Sequence, residues 1–487
     1  MAFMPYISCF ELINSINMIN NRTYLILTIT IFVSLLIPAL VHDGMFLDGV
    51  TYSAISKNMA NGYGSYWNPH YTKILYPNFH EHPPMVFIIQ SFFFKFFGDA
   101  FYTERIFSLF ISVLTAIGII QCWRLLTDKF DLKEYYWLPV LLWLLIPLVS
   151  WSYKNNLLEN TMGAFTIFAI FFILKALIES RIIFIIFGSI LIILAFLSKG
   201  FVGIFPIVIP LLFAVIYDSK KRAVLHFLFL IISIATFSLI LLIVFPEIRD
   251  NITIYFDQQL LPALNNQREI TTNNRFNLIF NLMLILSIPI VIVLYILFKQ
   301  WRKNRNLMLH KNKQFLLFLL IAISASLPLI ISLKQRQFYL IPSIPFYALS
   351  FSYLIVSYLK ETLDRVPKSS LKWLNSVSLG VLSIVLIFST FKFGEFSRDE
   401  EKLKDIYTIS NYIPEGEIIS ITKDLYSDWS LVAYMSRVGY LSLDCDNKHE
   451  YFLMEKNSIT IPPIDYSQID LKLNLYIILK RRLQVSN

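Results

Sequence analysis

The sequence predicts a polytopic α-helical membrane protein with a small α/β domain at its C-terminal end. The 487 residues are 56% hydrophobic and only 15% charged, whereas soluble globular proteins carry about 45–50% apolar and about 25% charged residues. The composition changes after residue 394, where charged residues are frequent. This composition excludes a water-soluble enzyme, a secreted disulfide scaffold and a disordered chain.

Eleven to thirteen membrane spans are predicted. Runs of about 20 apolar residues are long enough to cross roughly 30 Å of hydrocarbon, and they occur at 23–42, 101–123, 158–178, 181–198, 200–217, 224–246, 276–298, 314–333, 338–359 and 371–393. A shorter run, 137–151, begins and ends with tryptophan, as is typical of the membrane interface. The segment 84–97 is a short span, a re-entrant hairpin or an interfacial helix.

Three clusters of basic residues set the predicted orientation, because cytoplasmic loops carry the excess of Lys and Arg. An even number of spans separates the clusters, so all three can lie inside. They are Lys220 to Arg222, then Lys299, Arg302, Lys303, Arg305, Lys311 and Lys313, and finally Lys360, Arg365, Lys368 and Lys372. The segments 43–83 and 247–275 and the chain after residue 394 then face outside. If the segment 84–97 also crosses the membrane, the number of spans between the first outer loop and the basic clusters no longer fits this orientation.

The net charge of +9 is explained by these loops, so no nucleic-acid partner is expected. The three cysteines are far apart and form no Cys-x-x-Cys pair, which gives no indication of a disulfide framework or a zinc site.

We predict a transmembrane domain over 1–394 and a small soluble domain over 395–487. After SRDEEKLKD a helical pattern extends to Tyr412, and strand-like runs follow in EIISIT, VGYLSLD and LYIILK. About 90 residues are enough for a small α/β domain. It contains no nucleotide or metal motif, and packing or positioning of an acceptor is its simplest role.

The first outer loop, 43–83, is the most informative segment of the chain. A connection between two spans needs only a few residues, so forty residues rich in aromatic and ionisable groups predict a folded site at the membrane face. Its ionisable residues include Asp43, Asp48, Lys57, Lys73, His80, Glu81 and His82.

Two further ionisable residues, Glu159 and Lys199, adjoin or lie between apolar runs. A charge at membrane depth costs about 2.5–3.5 kcal/mol on insertion scales, so it normally has a partner or a function. The alternatives are a snorkelling lysine for Lys199 and a carboxylate that meets the helix dipole for Glu159.

Basic residues on the same predicted outer side form a cationic rim. Lys334, Arg336 and Tyr339 lie between two spans, and Arg249, Arg268 and Arg275 belong to the loop 247–275. Singly they are ordinary loop charges. Together they suit an anionic head group such as a lipid-linked phosphate.

Several blocks in this order resemble the signature blocks of the GT-C glycosyltransferases. The blocks are FLDGVTYSAISKNMA, FHEHPP, FFFKFFGDAFYTERIFS, LENTMGAF, LAFLSKGFVGIFPIVIP and FYLIPSIPFYAL. They are most similar to those of the protein O-mannosyltransferases and the aminoarabinose transferases of lipid A, over residues 23–360. The resemblance implies an inverting transferase of one sugar from a polyprenyl-phosphate donor to a hydroxyl acceptor, outside the cytoplasmic membrane or in the lumen of the endoplasmic reticulum.

The resemblance assigns roles to individual residues. Asp48 matches the acidic position that serves as catalytic base, and Glu159 matches a second acidic position near the site. Glu81 and His82 fall on the block beside the donor phosphate. Lys199 matches the lysine of a Thr-Lys-Gly-like block, and Arg336 and Tyr339 match a basic and a tyrosine position. Lys334, Arg268 and His82 are expected as weaker phosphate ligands, and Asp43 as a further site residue.

The chain departs from the family pattern at two positions. The family often has Asp-Glu where this chain has Asp48-Gly49, so catalysis by a single base is expected. A lysine common in the family is replaced by His82, which puts that phosphate contact in doubt. No cofactor is expected to be required. A metal ion at His80, Glu81 and His82 is an alternative, although adjacent residues of an extended segment point to opposite faces.

Two other functions use similar features. A transporter or flippase also has charges at membrane depth, but no internal repeat is found here. A ligase or oligosaccharyltransferase transfers a preassembled glycan from a similar donor. High Ile, Phe, Asn and Lys usage suggests a bacterial inner membrane protein and an undecaprenyl carrier. The sequence does not identify the sugar or decide between protein, lipid and polysaccharide acceptors.

Overall fold

The fold was obtained as a computed structural model, which describes residues 9–127, 132–265, 267, 269–304, 312–446, 448–459 and 463–482. Most of the chain is helical. The helices up to residue 391 are α1 Cys9–Leu40, α2 Leu47–Ala60, α3 Met85–Phe97, α4 Thr103–Thr127, α5 Trp137–Leu144, α6 Pro147–Lys154, α7 Leu158–Glu179, α8 Ile183–Lys199, α9 Ile209–Tyr217, α10 Lys220–Val244, α11 Glu247–Tyr255, α12 Leu261–Leu264, α13 Asn277–Ile285, α14 Ser287–Asn304, α15 Lys313–Ser326, α16 Ile344–Leu363 and α17 Lys368–Phe391.

Short 3₁₀ segments lie at several helix ends, with one π-helical turn over Phe256–Leu260. The 3₁₀ segments are Lys133–Tyr136, Gly200–Val208, Leu327–Ile331 and Gln337–Ser343.

Eight helical stretches within the described residues are long and apolar enough to cross a membrane, or ten if each of two bent pairs is one span. The bent pairs are α5 with α6, at 75°, and α13 with α14, at 64°. One of the eight, Ile183–Tyr217, covers two of the runs predicted as separate spans.

This 35-residue stretch reverses direction at Gly200. A Cβ on Gly203 would lie 2.6 Å from the carbonyl group of Ala195, whereas eight residues of straight α-helix advance about 12 Å. Gly200 makes the reversal with a positive φ of 79°, a conformation that glycine adopts without steric cost. The stretch therefore passes twice through the bundle, so the described passes number nine, or eleven if each bent pair is one span.

The segment 84–97 forms the short helix α3, which does not cross the bundle. His82, just before α3, lines a cavity together with Lys199. Asp99, just after α3, bonds to Arg437 of the C-terminal domain. Both ends of α3 therefore lie at the same end of the bundle. Of the three predicted alternatives, the structure has the helix along the membrane face, and the parity conflict disappears.

The basic clusters lie at the opposite end of the bundle. Lys303 pairs with Glu361 at 2.8 Å, and Arg222 donates to the carbonyl oxygen of Leu177, so loops from all three clusters share one end. Arg305 and Lys311 lie outside the described residues. That this end faces the cytoplasm remains a prediction.

The C-terminal segment forms a five-stranded mixed sheet with three helices. The strands are β1 Ile418–Ile421, β2 Ser442–Asp444, β3 Tyr451–Glu455, β4 Tyr466–Gln468 and β5 Tyr476–Arg481, and the helices are α18 Glu400–Tyr412, α19 Lys423–Tyr426 and α20 Trp429–Gly439. The strand order is β2-β1-β3-β5-β4. β1 pairs in parallel with β2 and β3, and β5 pairs antiparallel with β3 and β4.

The predicted α/β character of this segment is confirmed. The three predicted runs contain β1, β2 and β5, and the predicted helix is α18. Strands β3 and β4 were not predicted. β4 has three residues and only its first is buried, and four consecutive buried residues of β3 show no alternation. The boundary at residue 394 remains a prediction.

Candidate active site

A cavity of about 290 Å³, lined by both charged and apolar residues, lies at the end of the bundle that carries the first outer loop. The loop, the ends of α7 and α8, and the segments 255–264 and 328–339 surround it. Its polar lining residues are Glu81, His82, Glu159, Lys199, Tyr255, Gln259, Ser332, Lys334 and Tyr339. Six predicted site residues, from four separate parts of the chain, therefore meet in one cavity.

Glu159 and Lys199 form a buried ion pair in the wall of this cavity. Glu159 lies in the first turn of α7 and Lys199 ends α8. Because these two helices run antiparallel, the start of one meets the end of the other. The side chains are only 1% and 9% exposed. Lys199 is thus a paired cation inside the protein, and the snorkelling alternative does not apply.

The position of the Lys199 ammonium group is fixed by more than its carboxylate partner. Its Nζ atom lies 5.0 Å from the ring centre of Tyr339 and 5.6 Å from that of Phe338, distances at which cations are attracted to aromatic faces. The second carboxylate oxygen of Glu159, Oε2, has no hydrogen-bond partner within the described residues.

Gly200 allows the loop 247–265 to approach the Lys199 turn. A Cβ at Gly200 would lie 2.0 Å from the hydroxyl oxygen of Tyr255. Glycine is therefore needed directly after Lys199 for a steric reason, since the side chain of any larger residue would displace Tyr255 from the cavity wall.

Asp48 lies in the first turn of α2, where a helix dipole favours a carboxylate. Burial raises the pKa of its carboxyl group above the ordinary value of 3.8, and the charges of Lys199, Lys334 and Arg336 oppose this shift. Asp48 is therefore within electrostatic reach of the cations at the cavity, and its raised pKa suits a general base.

Gly49, where the family often has a glutamate, lies against the backbone of the chain before α7. A Cβ at Gly49 would be 2.1 Å from the carbonyl oxygen of Asn155. The missing carboxylate is thus a consequence of close packing, since this position has no room for a side chain.

Tyr52 is a site residue that the sequence analysis missed. Burial, and then the charges of Asp48 and Glu159, raise the pKa of its hydroxyl group well above the usual value of 10.0. The ring lies 5.9 Å from that of His82. One signal was present in the sequence, because Tyr52 is four residues after Asp48 and such residues share one face of a helix.

The predicted cations Lys334 and Arg336 both pair with a residue that the sequence analysis did not consider, Glu269. Its carboxylate lies 3.0 Å from Arg336 and 3.7 Å from Lys334. Glu269 is 59% exposed, so these are solvated pairs that an incoming phosphate can replace. Arg268 lies outside the described residues.

Asp43 lies away from the cavity and contacts the C-terminal domain. Its carboxylate accepts hydrogen bonds from the backbone N–H of Gly44, at 2.6 Å, and from the hydroxyl group of Tyr407, at 2.7 Å. The structure thus gives Asp43 a structural role and does not bring it together with the other candidates.

His80 also points elsewhere, since its Nδ1 atom lies 3.0 Å from the side-chain amide of Asn251. Among the residues that the structure describes, no group of three His, Cys, Asp or Glu side chains is arranged to hold a metal ion. Whether the reaction needs a metal ion remains a prediction.

An apolar groove of about 380 Å³ adjoins the cavity and lies between the 3₁₀ segment Gly200–Val208 and the end of α15. The cavity and the groove share four lining residues, Phe201, Val202, Pro328 and Leu329. Together they form a site with a charged end and an apolar end.

Arg336 lines a second cavity, of about 580 Å³, on the other side of the segment 336–339. Its remaining lining residues include Trp151, Phe338 and residues at the bends of both bent helix pairs. The ring of Phe46, two residues before Asp48, lies 5.6 Å from Trp151 and 6.1 Å from Phe338. This cavity therefore adjoins the start of α2.

Comparison with known proteins agrees with the sequence resemblance. The family model described as dolichyl-phosphate-mannose-protein mannosyltransferase matches residues 81–246. No curated protein matches the sequence.

Two solved structures share the fold at low sequence identity. ArnT from Cupriavidus metallidurans bound to undecaprenyl phosphate is 14% identical, with a TM-score of 0.64 over 95% of this chain and 98% of that one. The archaeal oligosaccharyltransferase AglB from Archaeoglobus fulgidus, in complex with an inhibitory peptide and a dolichol-phosphate, is 12% identical. Its TM-score is 0.54, and the match covers 88% of this chain and 69% of that one. The predicted resemblance is confirmed, and this chain has the GT-C fold of membrane glycosyltransferases.

Proposed function

We propose that this protein is an inverting glycosyltransferase that moves a single sugar from a polyprenyl-phosphate donor to a hydroxyl acceptor outside the cytoplasmic membrane. The observation that carries the proposal is that the cavity with charged lining residues and the apolar groove are adjacent and share four wall residues. A donor of this class has the same two parts, a sugar phosphate and an isoprenoid chain.

The phosphate is proposed to bind at Lys199, with Lys334 and Arg336 on its other side. Lys199 is held in place by Glu159 and the ring of Tyr339, so its charge needs no rearrangement during the reaction. Arg336 and Lys334 exchange the carboxylate of Glu269 for phosphate oxygens. These cations stabilise the negative charge that develops on the leaving phosphate.

Asp48 is proposed as the base. The acceptor hydroxyl attacks the anomeric carbon while Asp48 takes its proton, the bond from that carbon to the phosphate oxygen breaks, and the polyprenyl phosphate leaves as an anion. Removal of the proton by a placed carboxylate contributes about 10²–10⁴ in rate. The second cavity, beside Phe46 and Trp151, is the proposed approach for the acceptor.

The test compares purified wild-type protein with Asp48→Asn in detergent. Both receive a panel of polyprenyl-phosphate monosaccharides with total membrane extract as the acceptor source, and release of the lipid phosphate is followed. Wild type should release it from at least one donor, and Asp48→Asn should be slower by a factor of about 10² or more.

Turnover of Asp48→Asn within threefold of wild type would reject the base assignment. No release by folded wild type from any donor would reject the monosaccharide donor and favour a preassembled glycan or transport. The mass added to the product separates the remaining cases, because a single-sugar transferase adds one sugar and a ligase adds many.

A further inference from the structure

Some charged residues of the first outer loop point away from the cavity and contact the C-terminal domain. Asp43 binds Tyr407, and Lys73 donates to the carbonyl oxygen of Gly416. Lys57, near the end of α2, is the most buried of them, at 2% exposure. The loop thus uses its charges for two purposes, chemistry at one face and attachment at the other.

Lys57 links α2 to the last turn of α20. Its Nζ atom donates to the carbonyl oxygens of Arg437 and Val438, both at 3.0 Å. The last carbonyl groups of a helix have no partner within the helix and favour a cation. A carboxylate oxygen of Asp99 lies 2.7 Å from the same Nζ atom.

Arg437 of α20 makes the reciprocal contact with the transmembrane domain. Its guanidinium group binds Asp99 at 2.5 Å, Glu104 at 2.9 Å and the carbonyl oxygen of Ala100 at 3.0 Å. Two cations and two carboxylates therefore form one closed network between α2, the start of α4 and α20. Lys57, Arg437 and Glu104 are at most 9% exposed, whereas Asp99 is 42% exposed, so loss of one of the three buried members weakens the charge compensation of the others.

A second attachment lies just before the other end of α2. The hydroxyl oxygen of Tyr434, also on α20, accepts from the backbone N–H of Met45 at 3.1 Å and lies 3.0 Å from the carbonyl oxygen of the same residue. Met45 is only three residues from Asp48. Helix α20 therefore holds α2 near both of its ends.

We propose that the C-terminal domain is a positioning element of the active site, which fixes α2 and thereby Asp48 through Lys57 and Tyr434. The attachment itself is independent of the reaction, whereas its catalytic consequence rests on the proposed function. A rigid attachment is useful here because a displacement of about 1 Å at a reacting group can reduce a rate by about 10².

Hydrogen–deuterium exchange of the full chain in detergent tests the attachment without any substrate. The variants are Lys57→Met and Tyr434→Phe, and the controls are Lys404→Met and Tyr412→Phe, whose side chains are exposed in α18. In Lys57→Met the amides of residues 43–60 should exchange at least about tenfold faster, the factor expected for loss of one hydrogen bond to a charged group. Tyr434→Phe should accelerate the same amides, and the controls should not.

Unchanged exchange over 43–60 in folded Lys57→Met and Tyr434→Phe would overturn the proposal. So would equal acceleration throughout the transmembrane helices, because that would mean general destabilisation. If Lys57→Met does not fold, Tyr434→Phe decides alone, since it removes one oxygen atom and keeps the ring.

Kinetics then test the catalytic consequence. With a donor that wild type accepts, Tyr434→Phe should lower turnover at saturating donor and leave the donor KM within about twofold, because Asp48 moves and the phosphate ligands Lys199, Lys334 and Arg336 do not. A raised KM with unchanged turnover would overturn a role in positioning the base. If wild type accepts no donor, the proposed function fails while the exchange result still decides the attachment.

Discussion

Replacement of Lys199 by methionine tests the buried ion pair most directly. Lys199 is the partner of Glu159, whose side chain is 1% exposed and whose second oxygen has no hydrogen-bond partner in the described part of the chain. In the variant a buried carboxylate would lose its compensating charge. The cation–π contacts with Tyr339 and Phe338 would be lost as well.

The expected loss in the free energy of unfolding is about 3–5 kcal/mol, the cost of removing one partner from a buried pair. That is a large share of the roughly 5–15 kcal/mol that stabilises a typical protein. The double variant Glu159→Gln, Lys199→Met removes both charges. Because replacement of a whole buried pair is often nearly neutral, the double variant should recover at least half of the loss.

Urea titration in mild detergent, followed by tryptophan fluorescence, measures the stability of Lys199→Met, Glu159→Gln, the double variant and wild type. A coupling free energy from the double-mutant cycle separates the pair from other effects of each substitution. A loss below about 1 kcal/mol in Lys199→Met, the range of exposed pairs, would refute the buried pair. So would a double variant less stable than Lys199→Met.

Three further predictions follow from the site. Gly49→Glu, which restores the acidic pair of the family, should lower both stability and turnover, because its Cβ would lie 2.1 Å from the carbonyl oxygen of Asn155. Thermal unfolding and the turnover assay test this prediction, and an active, stable variant would contradict it. Because burial raises the pKa of Asp48 above 3.8 and a base acts when deprotonated, turnover should fall as pH decreases through this raised pKa; a pH–rate profile with its acid midpoint at or below 3.8 would be inconsistent with this. Glu269→Gln should lower the donor KM by up to about fivefold, since it removes a solvated pair that competes for Arg336, and an increase in KM would show that Glu269 assists binding.

The site illustrates how far residue types alone can be interpreted. Glu159 and Lys199 stood out because charges are rare beside apolar runs, and the structure pairs them. Lys334 and Arg336 were recognised as cations, but Glu269 was overlooked because a glutamate in an outer loop is not unusual. Only the folded loop brings it to 3.0 Å from Arg336.

The first outer loop shows the same limit. Asp43 and Lys57 resemble Asp48 in being charged residues of one aromatic segment, and nothing local distinguishes them. In the structure Asp48 lies within electrostatic reach of the cations at the cavity, whereas the other two contact the C-terminal domain. Contacts between residues hundreds of positions apart leave no periodic signal in a single sequence.

The sequence by itself determined the membrane class, most of the spans, the α/β character of the C-terminal segment and the residues with chemical potential. It could do so because hydrophobic length and charge placement are local properties that the bilayer selects directly. Only the tertiary structure decided that α3 does not cross, that Gly49 has no room for a side chain, and that α20 holds the helix carrying Asp48. These features depend on which distant surfaces pack together, and that is a property of the whole fold.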